Sequence, residues 1–76
     1  MKIKTTLEKV NEALEKIRKV GGDTSVNGSK GSFDVKGVEG RFAWDGEEEI
    51  LTIVIDDKPW LASDSMIENE IRKFFN

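Results

Sequence analysis

Carboxylates are the main chemistry-bearing side chains of this 76-residue chain, because it has no His and no Cys. Histidine is the group that titrates near neutral pH, and cysteine is the readiest nucleophile. Without them, proton shuttling, thiol chemistry and the usual zinc ligand sets are excluded, and the serines have no base of the ordinary kind. Two acidic groups remain, Asp45 with Glu47, Glu48 and Glu49, and Asp56 beside Asp57. Either could in principle hold a hard cation or form an acid/base pair. A calcium loop wants acids at alternating positions and a closing Glu, however, and neither group has that spacing. Acids beside hairpin turns also serve to keep sheet edges apart. The favoured reading is a protein without catalytic residues, cofactor or metal. Small-ligand or cation binding at the acidic turns near Asp45 and Asp56 is the alternative from another class.

Phosphate and nucleic-acid chemistry fare no better. The segment Gly28 to Gly31, GSKG, looks like the backbone-clamping loop of KH domains, and Lys30-Gly31-Ser32 resembles part of a phosphate loop. A KH loop joins two helices and a phosphate loop leads from strand into helix, whereas strands are expected on both sides here. Asn27-Gly28-Ser29 matches a glycosylation sequon, which matters only on a secretory route. Residues 1 to 20 hold six Lys/Arg and three Glu, net +3, while residues 21 to 76 hold six and twelve, net −6. That acidic majority argues against a nucleic-acid partner.

These residues need elements to carry them. Leu7, Val10, Leu14 and Ile17 repeat at helical spacing, and Thr5 with Glu8 forms a capping box, so the spacing predicts a helix over about 5 to 20, released by Gly21 and Gly22. From residue 23 to 58 the period changes to 2. Four segments follow, TSVN, SFDVK, VEGRFAW and EILTIVI, joined by turns at Asn27-Gly28, Lys36-Gly37 and Asp45-Gly46. Pro59 ends the ladder, and Ser65 with Glu68 marks a second helix carrying Ile67, Ile71 and Phe74 to the C-terminus. The expected fold is one α+β domain: helix, a three- or four-stranded antiparallel meander, helix, with both helices on one sheet face.

The last strand is apolar on both sides. Leu51, Ile53 and Ile55 point one way, and Ile50 and Val54 the other, with Thr52 between them. If the first set meets the helices, then Ile50, Thr52 and Val54 line an open sheet face, and exposed apolar patches tend to be contact sites. Trp44 and Trp60 suit either core or contact anchors. Core is the better fit, Trp44 by its strand parity with Phe42 and Val38, and Trp60 as a seal at the strand-to-helix corner.

The element order is also that of double-stranded RNA-binding domains. That family grips phosphates with lysines at the start of its second helix, and here the matching stretch is the acidic SDSMIENE, so the analogy stops at the fold. From Gly37 onward the chain resembles the polyhydroxyalkanoic acid system protein family, small bacterial proteins associated with polyester storage granules. The resemblance lies in Gly37, Val38 and Gly40 of GVEG, in Pro59, Trp60 and Leu61 of PWLA, and in Ile67, Glu68, Glu70 and Ile71 of IENEI. It covers about half the chain and implies a fold and a setting, not a reaction. The opening MKIKTTLEKV lacks an apolar signal core and no stretch reaches the roughly 18 apolar residues of a membrane span, so a cytoplasmic location is expected. Together these readings predict a non-enzymatic binding or assembly protein. Its expected partner is a second copy, another protein or a granule, met through Ile50, Thr52 and Val54.

Overall fold

A computed structural model describes residues 1–75. Seven elements follow one another: β1 (Lys2–Lys4), α1 (Leu7–Lys19), β2 (Asp23–Asn27), β3 (Lys30–Val35), β4 (Val38–Asp45), β5 (Ile50–Asp57) and α2 (Asp64–Lys73). The strands form one antiparallel sheet in the order β1-β5-β4-β3-β2. The α+β class and the meander are as expected, with five strands rather than three or four. β1 is the addition, a three-residue strand that lies along β5 with Ile3 opposite Leu51.

Both helices cover one face. Val10, Leu14 and Ile17 of α1 and Ile67 and Ile71 of α2 join Ile3, Phe33, Val35, Val38, Phe42, Leu51 and Ile53 in a single apolar cluster. The alternation of buried and exposed positions along β3, β4 and β5 places every one of those strand residues on the same side of the sheet. With no cysteine for a disulfide and neither Cys nor His for the usual structural zinc sites, this cluster supplies the stability.

The caps fall elsewhere than the capping boxes suggest. Thr6, not Thr5, caps α1, its side chain accepting from the Lys9 N–H at 3.2 Å. Ser63, not Ser65, caps α2 through the Met66 N–H at 3.2 Å, and that helix ends at Lys73. The reason in the first case is tertiary. The Thr5 N–H donates to the Glu49 carbonyl at 2.9 Å and the Thr5 carbonyl accepts from the Trp44 indole at 3.4 Å, so Thr5 belongs to the sheet's end and cannot open the helix.

Thr5 is buried, and its hydroxyl is the one buried side-chain polar atom among the described residues with no hydrogen-bond partner. Thr5→Val removes that oxygen while keeping the β-branched shape. It is expected to stabilise the fold by about 1 kcal/mol, raising Tm by about 4–8 °C in a thermal melt. A variant no more stable than the parent would mean that the hydroxyl is satisfied in solution.

Candidate functional site

The open face of the sheet carries the predicted contact residues, and its composition is set by register. Ile50 lies between Lys4 of β1 and Asp45 of β4, Thr52 between Lys2 and Ala43, and Val54 opposite Arg41. Val54 is 45% exposed, whereas Ile50 and Thr52 are half-buried under their neighbours. The apolar stripe is therefore one strand wide and walled by charge on both sides. Arg41 adds a forked pair to Asp56, with three nitrogen-to-oxygen contacts of 2.8–3.1 Å. Lower on the same face Asp23, Asp34 and Glu39 stand directly opposite one another across β2, β3 and β4.

Three of the acids at the acidic turns, Asp45, Asp56 and Asp57, are engaged in local structure. Asp45 Oδ1 accepts from the Glu47 and Glu48 N–H groups at 3.0 and 3.3 Å, which shapes the loop between β4 and β5. Asp56 holds Arg41, and Asp57 Oδ1 accepts from the Lys58 N–H at 3.0 Å. Among the described residues no three acids converge as a metal ion would require.

The larger apolar surface lies at the corner between β5 and α2. Trp60 is 89% exposed and Leu61 76% exposed, so Trp60 does not seal the core as its size suggests. The turn explains the outcome. Pro59 cannot continue the ladder, and the Ala62 N–H closes back on the Pro59 carbonyl at 2.9 Å, which turns Ala62 inward and leaves Trp60 and Leu61 at the apex. Lys58 fixes the entry to α2 by pairing with Asp64 at 2.6 Å, and this contact holds the Asp64 carboxyl below its usual range.

Beside this apex lies an apolar groove of about 230 Å³ between α2 and the turn joining β3 to β4, lined by Val35, Val38, Pro59, Ala62, Met66 and Phe74. Lys36 and Glu70 stand on its rim. The hydrogen bond from Lys73 keeps the Glu70 carboxyl below its ordinary range, with the charge of Lys36 adding to the effect. Met66, more than half exposed, continues the surface from groove to apex. Leu61 and Met66 were not singled out by spacing. The usable signal was an apolar Trp-Leu pair between a proline and a polar run, with no partner at strand or helix spacing to bury it.

Comparison with protein-family models, with curated proteins and with solved structures finds no match to this chain.

Proposed function

We propose that this chain is a non-enzymatic binding protein of the cytoplasm that docks on an extended apolar surface through Trp60 and Leu61. The polyester granule implied by the resemblance around Pro59, Trp60 and Leu61 is the surface of choice. The observation that carries the reading is the pair of large apolar side chains standing almost wholly in solvent on a turn held between a strand and a helix. Exposed single hydrophobic residues are ordinary, but an adjacent Trp and Leu continuous with a groove form a patch of the kind that marks contact sites. Tryptophan is also the residue most enriched among binding hot spots. The stripe of Ile50, Thr52 and Val54 suits this role less well because docking it would also strip water from Lys2, Lys4 and Asp45.

Burying each of the two side chains contributes about 1.5–3 kcal/mol before the costs of association. The double variant Trp60→Ser with Leu61→Ser is thus expected to weaken binding at least tenfold, since about 1.4 kcal/mol already corresponds to that factor. The assay is co-sedimentation of the purified protein with polyester particles, alongside a thermal melt. The wild type should pellet, and the variant should stay in the supernatant with its Tm unchanged. Val54→Ser should pellet like the parent. Failure of the wild type to pellet overturns the granule reading, and loss of binding in Val54→Ser with retention in the double variant moves the site to the open sheet face.

A further inference from the structure

The two edges of the sheet are built differently. β1 is three residues long and reads Lys-Ile-Lys, so another strand approaching it meets two ammonium groups. Short length and lysines are the ordinary defences of a sheet edge against pairing with another chain. β2 at the opposite edge has five residues, Asp-Thr-Ser-Val-Asn, with no lysine, proline or bulge.

The free groups of β2 can be counted from its register. Asn27 and Lys30 close a two-residue turn at Gly28-Ser29, where Gly28 has φ +65. The pair closing such a turn exchanges both of its backbone bonds, and hydrogen-bonded pairs then alternate along the ladder. Asn27, Ser25 and Asp23 therefore spend their backbone groups on β3. Thr24 and Val26 aim theirs away from the sheet, and among the described residues no backbone bond from another loop or turn reaches either. Val26 is also half exposed, its side chain on the helix-bearing face at the sheet's rim.

We infer that β2 pairs with β2 of a second copy of this chain, antiparallel, about a two-fold axis through Ser25. In that register Thr24 faces Val26 of the second copy and Val26 faces its Thr24, so all four outward N–H and C=O pairs find partners at once. Ser25 meets Ser25 across the axis, and Asp23 meets Asn27, so no like charges oppose each other. The same operation at β1, about Ile3, would set Lys2 against Lys4 in both directions. The two sheets become one of ten strands, and Val26 loses its exposure beside the Thr24 methyl of its mate. The joint is narrow compared with a standard interface, so the dimer is a weak one that fills at high concentration. It needs nothing from Trp60 and Leu61, which follow the C-terminal end of β5, so the two associations are separable by mutation.

The absence of cysteine makes the register directly readable. Residues facing each other in a non-hydrogen-bonded antiparallel pair have Cα atoms about 4.5 Å apart, within disulfide reach. Ser25→Cys is expected to give a covalent dimer under mild oxidation, while Asn27→Cys, which faces Asp23 of the second copy, should lag at least tenfold. Sedimentation equilibrium of the unmodified chain should show a dimer whose dissociation constant rises at least tenfold in Ser25→Lys, where two ammonium groups meet on the axis. Val26→Pro removes an outward N–H that the β2–β3 ladder does not use and should likewise give monomer. A wild type that stays monomeric at millimolar concentration, or equal crosslinking through positions 25 and 27, overturns the inference. A dimer that Ser25→Lys leaves intact and Trp60→Ser dissolves would assign association to the corner instead.

Discussion

Replacing Leu51 by alanine is expected to cost about 4–5 kcal/mol, the upper half of the range for a buried leucine. Leu51 is 2% exposed, the most deeply buried large side chain among the described residues. It sits on β5 between Ile3 of β1 and Trp44 of β4, facing both helices. The cost is placed high because the core beside it already contains an apolar void of about 30 Å³, shared with Val10, Leu14, Phe42 and Ile71. Truncation would enlarge a space that its neighbours have not closed, and a cavity that cannot collapse forfeits contact energy as well as burial. A small domain holds only a few kcal/mol in reserve, so Leu51→Ala should approach the edge of folding. Tm should fall by about 16 °C or more. Val54→Ala, three residues along on the opposite face, should change stability by less than about 0.5 kcal/mol. Urea titration of the two variants tests which side of β5 is the inside. Equal losses would mean that the open face is covered, which would also remove the ground for comparing it with the Trp60 corner.

That contrast between Leu51 and Val54 was legible in the sequence, because parity along a strand is a local property. So was α1, whose Val10, Leu14 and Ile17 are all buried, and so was the Lys36-Gly37 turn, where both residues have positive φ. Features decided at a distance were not legible. β1 has one buried residue and finds its partner some fifty positions later, too short for any period to show. Thr5 and Thr6 are chemically alike, and only the bond from Thr5 to Glu49 decides between them. The predicted contact residues Ile50, Thr52 and Val54 do share the open face. The lysines and the arginine that hem them in, however, arrive from β1 and β4 by register, which a single strand does not encode. Trp60 misled for a related reason. Its apolar bulk argues for burial, but the proline-led turn before α2 fixes where its backbone goes, and no element remains there to cover it.

The bare backbone at Gly40 carries the second large effect. Gly40 is buried on β4 opposite Phe33, and Gly31 stands opposite Phe42 on the same pair of strands, so each ring lies over the residue that lacks a side chain. Such reciprocal pairing of aromatic and glycine lets the rings close the sheet surface where β-branched residues would otherwise do so. A methyl group at position 40 would fall 2.6 Å from Phe33 Cζ and 2.8 Å from the Val54 carbonyl oxygen. The ring can shift, but the carbonyl belongs to β5 next to a register irregularity at Glu39/Gly40 and cannot withdraw without moving the strand. Gly40→Ala is therefore expected to destabilise by about 2–3 kcal/mol, the cost of overpacking a tight core. Phe33→Leu made in the same chain should recover about 1 kcal/mol of this, the coupling of two residues in contact. It should not recover all of it, because the clash with the carbonyl remains. Chemical denaturation of the parent, the two single variants and the double variant measures the coupling. Strict additivity would show that the ring is not what excludes a side chain from position 40, and complete rescue would show that the strand yields after all.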